Sequence, residues 1–373
     1  MRIGLDAKRA FKNSSGLGNY NRSVITSLAK FFPQHQYHLF TPETSPLFLV
    51  EQKNIFIQEP KGMLKFFHSY WRSKGILNDL VKNKIELYHG LSNELPIGIS
   101  NTKTKSIVTI HDLIFLRHPN LYPSIDRKIY ERKSKLACKE ADHIIAISEQ
   151  TKSDIHKYFG TEENKITVVH QAIDSVFYNE ISEGLLSAKA KYQLPEKYIL
   201  FVGTIEERKN LLALLKAFLK LDAGASIHLV VVGKEKKYKQ QALDFISKNK
   251  IETKVHFLKN VLTEELPAIY KQALMLVYPS QFEGFGLPIA EAIASGVPVI
   301  ANNENVFREA GGRESIYADA NNEEALTDSI AEVLSNQSLR KKMIEAGLLH
   351  SNKFKAEVHA GSLMNVYESV FSM

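Results

Sequence analysis

The chain of 373 residues has one cysteine, Cys138, and one tryptophan, Trp71. A single thiol cannot form an internal disulfide, which fits a reducing compartment and sets the expectation of a cytoplasmic protein. Cys138 lies in the helical-looking run ERKSKLACKEAD, where a buried, inert role is expected. No apolar stretch approaches the roughly 20 residues that a membrane-spanning helix requires. The N-terminus MRIGLDAKRAF has neither the apolar core nor the small-residue cleavage site of a secretory signal. A phosphate-cradling P-loop is missing, which argues against an ordinary nucleoside triphosphatase. There is no Asp-x-Asp pair, HExxH or cysteine cluster, so a bridging metal is not expected. No internal repeat or low-complexity segment is visible.

What is present is an ordinary globular composition, 44% apolar and 24% charged, on a chain too long for one core. The net charge of +7 favours anionic partners such as nucleotides or phospholipid surfaces. It forms no recognisable nucleic-acid module, and nucleic acid is not expected as a partner. Short β-branched runs alternate with helical patterns, the signature of parallel sheets with crossover helices. Strands are expected at 2–7, 37–41, 54–58, 87–89, 106–111, 143–148 and 166–170, then at 198–203, 227–233, 255–258, 274–279, 297–301 and 315–318. Several, such as IHLVVVG and LMLVYP, are continuous apolar runs that suit strands buried on both faces. Helices are expected over 210–221, with Asn210 as N-cap and Leu211, Leu214, Leu215, Phe218 and Leu219 on one stripe, over 263–273 from Thr-Glu-Glu, and over 322–336.

The rhythm breaks between about 172 and 197. The expected divisions are an N-terminal domain over 1–172, a linker over 173–196, a C-terminal domain over 197–354 and a terminal helix over 355–373. Each domain is expected to be a doubly wound open sheet. Ligands of such sheets sit beyond the carboxyl ends of strands, at helix N-termini, so the chemistry belongs to residues directly after strands.

The segment YPSQFEGFGLPIAE, 278–291, meets that requirement. Gly284 and Gly286 allow close backbone approach, Pro288 suits a first helical turn, and the N–H groups of Phe285, Gly286 and Leu287 can receive ligand oxygens. Glu283 in the loop and Glu291 eight residues on are acceptor-only carboxylates suited to a polyhydroxyl ligand. Spacing alone equally allows a helix-start loop with an incidental Glu and a surface Glu. In VGTIEERKN, 202–210, Gly203 and Thr204 follow a strand, and Arg208 with Lys209 precede a helix, where the dipole disfavours cations. A diphosphate would explain the pair; a solvated basic pair is the alternative. GLGNY, with Gly16 and Gly18, falls short of a dinucleotide fingerprint, since the third glycine position is Asn21. It reads as a flexible turn before a helix, facing phosphate or substrate. His111 and Asp112 end the strand SIVTI, where His111 could donate to a hydroxyl or supply charge near a reacting centre; an Asp cap beside a structural His is as compatible.

With these segments in view, the chain resembles the family-4 (group 1) GT-B-fold retaining glycosyltransferases. The matching segments run in family order: GLDAKR with GLGNYNRSV, TIHDLIFLRHPNLYP, ADHIIAISEQTKSDI, VVHQAID, FVGTIEERKN and PSQFEGFGLPIAEAIASGVPVI, the last carrying an E-x7-E motif as Glu283 and Glu291. The resemblance implies two Rossmann-like domains facing a central cleft, with the acceptor on the N-terminal side, the nucleotide sugar on the C-terminal side, and the last helix crossing back to the first domain. It implies Glu283, beside Phe285 and Gly286, on donor-sugar hydroxyls and Glu291 on the ribose. Arg208 and Lys209 would neutralise the leaving diphosphate, making a metal cofactor unnecessary. His111 would face the donor sugar, and Gly16 and Gly18 would form a loop near the phosphates and acceptor. One departure concerns Thr204, where many relatives carry Arg, so the phosphate clamp would rest on Arg208 and Lys209.

GLDAKR…GLGNY with HDLIFLRHPNLYP looks most like the mannosyltransferase-like members that build bacterial surface polysaccharides. The implied donor is GDP-mannose, with a UDP-sugar as the alternative, and the acceptor a glycan or lipid-linked glycan. A sugar-nucleotide 2-epimerase or a non-catalytic sugar-nucleotide-binding protein would share the architecture. The run KGMLKFFHSYWRSKG, 61–75, mixes Lys61, Lys65, Arg72 and Lys74 with Phe66, Phe67, Tyr70 and Trp71. That mixture suits peripheral contact with the inner, anionic membrane surface; a helix packed on its own domain is the alternative.

Overall fold

The computed structural model describes residues 1–179, 184–221 and 227–372. The chain divides into two compact units, Met1–Ala172 with Ala356–Met373, and Ile173–Lys355. The stretch 173–196 is grouped with the second unit and holds a turn at Ser175–Phe177 and a helix at Gly184–Tyr192. Its residues 180–183 lie outside the described residues.

The first unit is built on strands β1 (Arg2–Asp6), β2 (Gln36–Phe40), β3 (Ile55–Gln58), β4 (Leu87–Gly90), β5 (Lys105–Ile110), β6 (His143–Ala146) and β7 (Ile166–Val168). They form a sheet of order β3-β2-β1-β4-β5-β6-β7, parallel throughout. The central β1 sets Leu5 opposite Leu39 on one side and His89 on the other. The second unit repeats the pattern with β8 (Tyr198–Val202), β9 (His228–Val232), β10 (Val255–Leu258), β11 (Met275–Tyr278), β12 (Val299–Asn302) and β13 (Ile316–Ala318), in the parallel order β10-β9-β8-β11-β12-β13. Every strand expected from the sequence is present. In both sheets the order reverses beside the first strand, between β1 and β4 and between β8 and β11. Those reversals are the switch points where a doubly wound sheet opens a crevice for ligand.

Amphipathic helices cover the sheets. Leu211, Leu214, Leu215 and Phe218 of the helix Leu211–Lys220 join Ile199, Phe201 and Val231 in the core of the second unit, whereas Leu219 is 41% exposed. Each such buried side chain contributes about 1.5–3 kcal/mol. Asn210 does not cap this helix with its side chain; it takes a left-handed conformation (φ 54°) that turns the chain into it. The helix expected from Thr263 begins instead at Leu266, where Pro267 fits the first turn. Asn322 caps Glu323–Ser335 as expected, its side chain accepting from Ala325 N–H.

The terminal helix Ala356–Ser372 belongs to the first unit, where Ala360, Leu363, Met364 and Tyr367 pack with Ile3, Leu5 and Val24. Cys138 is buried, and burial pushes its thiol up to about 12. No helix among the described residues is long and apolar enough to cross a membrane.

Candidate active site

At the switch point of the second sheet, the loops after β8 and β11 bring Arg208, Lys209 and Glu283 together. Glu283 Oε1 accepts from Lys209 Nζ, from Arg208 Nη1 at 2.7 Å, from Ser280 Oγ at 2.7 Å and from Tyr278 OH at 3.0 Å. Burial alone would raise the Glu283 pKa, but Lys209 and Arg208 overcome it and hold the carboxyl at about 2. Lys209 is itself buried, donates to Tyr278 OH at 2.7 Å and stands 5.1 Å over that ring. Burial lowers the Lys209 pKa against the opposing pull of Glu283. Arg208 also donates to the Phe282 carbonyl and to Glu206 Oε1 at 3.0 Å, and Glu206 meets Lys236 as well. Three cations thus face two carboxylates, a residual positive field at the mouth of a doubly wound sheet.

The residues around this cluster have local reasons for their positions. Gly203 leaves β8 with its N–H on Val232 O at 2.9 Å, and a side chain there would abut the aliphatic stem of Lys209. Thr204 carries the turn onward, its carbonyl accepting from Glu206 N–H at 2.9 Å. Gly286 precedes the helix Leu287–Ala294 at φ 113°, a backbone conformation open to glycine, with Pro288 in the first turn. Phe285 is buried edge-on to Phe354. Glu291, partly buried in that helix, accepts from Tyr270 OH at 2.9 Å. Burial is the main cause that pushes its pKa up to about 7, with Asp174 adding to it.

In the first unit, His111 and Asp112 follow β5. Nε2 of His111 lies 2.8 Å from Leu91 O. A carbonyl only accepts, so Nε2 carries the proton and Nδ1, 3.5 Å from Gln171 Nε2, is the acceptor nitrogen. Burial pushes the ring down to about 4, so it is neutral at pH 7. Of the two roles open to His111, the neutral ring suits the hydrogen bond rather than the charge. Asp112 Oδ1 accepts from Ile114 N–H at 3.1 Å, a turn two residues long, and Asn93 (φ 58°) accepts His111 N–H at 2.9 Å through Oδ1.

Gly16 and Gly18 are not a loop. They form the first turn of the helix Gly16–Phe31, because Asn13 Oδ1 accepts from Ser15 N–H at 2.6 Å and turns the chain early. A Cβ at Gly18 would lie 1.7 Å from Asn13 O, so this glycine serves a backbone approach within the protein. A Cβ at Gly16 would meet nothing within 4 Å. The basic–aromatic run 61–75 is also divided. Trp71 is buried with Nε1 on Asp79 Oδ2 at 2.6 Å, and Arg72 pairs with Asp6 at 2.9 Å. Met63, Phe66, Phe67 and Tyr70 stay exposed beside Lys61, Lys65 and Lys74.

Sequence reasoning assigned no role to Tyr278, Ser280, Tyr270 or Asn93. Tyr278 and Ser280 lie in the segment 278–291, where their spacing from Glu283 is a usable signal. Tyr270 and Asn93 reach their partners only through tertiary structure.

Both halves of the chain match known families: residues 14–177 match Glycosyltransferase Family 4, and residues 186–350 match Glycosyl transferases group 1. The O-antigen chain mannosyltransferase B of Escherichia coli is 28% identical over 285 residues, 76% of this chain and 74% of that protein. The O-antigen chain mannosyltransferase RfbU of Salmonella typhimurium is 28% identical over 275 residues, 73% of this chain and 71% of that protein. Among solved structures, the sucrose-phosphate synthase of Thermosynechococcus elongatus superposes with a TM-score of 0.80 at 18% identity, covering 100% of this chain and 99% of that one. The two parallel-sheet units with their shared strand order, matched by family over both halves, make this chain a family-4 glycosyltransferase of the GT-B fold.

Proposed function

We propose that this glycosyltransferase moves a hexose, with retention of configuration, from a sugar nucleotide to a glycan or lipid-linked glycan, and that the donor is GDP-mannose. The convergence of Arg208, Lys209 and Glu283 at the β8–β11 switch point carries the reading. The mannosyltransferase names of the relatives support the choice of sugar, and their O-antigen names support a role in surface-polysaccharide assembly.

In this reading the donor diphosphate takes the cations and the sugar hydroxyls take Glu283, which its low pKa keeps an acceptor. Glu291 takes the ribose. As the bond from the anomeric carbon to phosphate breaks, negative charge grows on the departing nucleoside diphosphate beside Arg208 and Lys209. Both are already fixed by Glu283, so little reorganisation is needed. The acceptor oxygen bonds to the anomeric carbon, and its proton passes to the leaving phosphate. Glu283 is not assigned as a nucleophile, since one of its oxygens already receives four protein donors. His111 contributes as a neutral imidazole near the sugar. The cations supply the charge stabilisation for which a metal would otherwise serve.

A thermal-shift panel tests the donor, because a ligand that binds only the folded form raises the melting temperature. GDP-mannose is expected to raise it and UDP-glucose not; the reverse result moves the donor to the UDP-sugars, and no response to either sinks the reading. The exposed group Met63, Phe66, Phe67 and Tyr70 with its lysines favours peripheral contact with an anionic membrane. Sedimentation with anionic vesicles decides that point: a protein left entirely in the supernatant removes the membrane.

A further inference from the structure

His111 sits in a buried polar cluster whose outer end is on the terminal helix. Thr109 lies near the end of β5, and His111 follows directly after the strand. Tyr20, from the helix Gly16–Phe31, lies over both. Its hydroxyl shares a 3.1 Å hydrogen bond with Thr109 Oγ1, and its ring stands edge-on to the His111 imidazole, centroids 4.6 Å apart at 87°. Thr109 Oγ1 also shares a 2.8 Å bond with His89 Nε2, and His89 Nδ1 shares one of 2.7 Å with Tyr367 OH of the helix Ala356–Ser372. Tyr20, His89, Thr109 and Tyr367 are each at most 4% exposed.

Packing alone does not call for these polar atoms. A buried hydroxyl or imidazole costs stability unless it is hydrogen-bonded, and apolar side chains would fill the space without that risk. What the polar chain provides is direction, since each bond fixes the rotation of the group that makes it. Tyr367 orients His89, His89 orients Thr109, and Thr109 fixes the Tyr20 hydroxyl and with it the ring edge against His111. Leu91 O holds Nε2–H, and Asn93 holds the His111 backbone. The imidazole is therefore held at Nε2 by a carbonyl and packed perpendicular to the Tyr20 ring.

We propose that Tyr20 is a positioning residue for His111, itself seated from the terminal helix through the chain Tyr367–His89–Thr109. The role rests on the reading of His111 as a residue facing the donor sugar. The terminal helix then does more than cover the first sheet: its docking sets the orientation of one catalytic candidate.

The test uses the full chain with ¹⁵N-labelled histidine, His111 being assigned by its loss in His111→Asn. Tyr20→Leu is expected to shift both His111 ring-nitrogen signals and to lower kcat roughly tenfold, with the donor KM within about twofold, because misplacement of a reacting-site group acts on turnover. Tyr20→Phe, which keeps the ring, is expected to lose less. Tyr367→Phe is expected to move the His89 and His111 signals together, although residue 367 touches only His89 of the two. Unchanged kcat and unchanged His111 signals in Tyr20→Leu would overturn the proposal. Should that variant not fold, unmoved His111 signals in both Tyr20→Phe and Tyr367→Phe would do so. If His111→Asn itself transfers sugar normally, the reading of His111 fails instead, while the nitrogen signals still decide whether Tyr20 positions the ring.

Discussion

Lys209 and Glu283, 74 residues apart in sequence, meet in one buried ion pair at the reversal point of the second sheet. The two partners are not equivalent. Without Lys209, Glu283 keeps Arg208, Ser280 and Tyr278 as donors. Without Glu283, buried Lys209 loses its carboxylate and Arg208 is left with Glu206. Lys209→Ala is therefore expected to cost about 1–3 kcal/mol of stability, and Glu283→Ala about 3–5 kcal/mol. Both are expected to lower sugar transfer roughly 100-fold or more. Urea denaturation and a transfer assay on each variant check the ordering. Normal transfer by both would place the reaction elsewhere. Transfer after dialysis against EDTA is expected to be unchanged, and a requirement for added divalent ion would overturn the cation-only account of the leaving group.

The strands were legible because a buried parallel strand must be a continuous apolar run, and IHLVVVG or LMLVYP can be little else. The candidate site was legible in part because switch-point chemistry must follow strands, which singled out Arg208, Lys209 and Glu283. What stayed hidden depended on depth and on distant neighbours. GLGNY suggested a turn before a helix, but Asn13 turns the chain at Ser15 and the helix already begins at Gly16. Whether His111 donates a hydrogen bond or carries charge was open, and burial, which no local pattern around SIVTIHD announces, leaves it neutral. The run 61–75 fitted either a membrane surface or a helix packed on its own domain, and only the distant partners Asp79 and Asp6 show that Trp71 and Arg72 are drawn inward.

In the proposed reading, with Glu291 on the ribose, donor binding is expected to be sensitive to pH near neutrality. Its pKa of about 7 means that near pH 6 it is largely protonated, and a carboxylate engaged with ribose hydroxyls forms only as the proton leaves. Nucleotide-sugar affinity is expected to rise from pH 6 to pH 8 and to do so with release of about half a proton at pH 7. Glu283, at about 2, and His111, at about 4, do not titrate in this window. Calorimetry in two buffers of different ionisation enthalpy measures the release. Glu291→Gln is expected to flatten the profile, and an equal slope in that variant would assign the proton to another group.

The first unit carries an acid-sensitive set of histidines. Burial holds His89 at about 3 and both His111 and His359 at about 4, against about 6.5 in an unfolded chain. The unfolded chain therefore binds more protons as the pH falls. Their contribution is fully present above about pH 6.5 and is lost progressively toward pH 4, at up to about 1.4 kcal/mol per histidine per pH unit. His359 is the informative one, because both its ring nitrogens are buried without a hydrogen-bond partner. His359→Leu is expected to keep or raise the urea midpoint at pH 7 and to reduce its fall between pH 7 and pH 5. An unchanged acid slope would remove His359 from the set.

The two glycines of GLGNY separate a backbone role from a ligand role. Gly18→Ala places a methyl 1.7 Å from Asn13 O, which forces the turn open and is expected to cost at least about 1–3 kcal/mol. Gly16→Ala meets no atom within 4 Å and replaces glycine in a helix, which is expected to leave stability unchanged or raise it by up to about 1 kcal/mol. Gly16 is therefore the clean probe of the first unit's approach to substrate. If the backbone there comes close to phosphate or acceptor, Gly16→Ala loses turnover with no loss of melting temperature. Full turnover in Gly16→Ala would leave the GLGNY segment with only the structural role that Gly18 already explains.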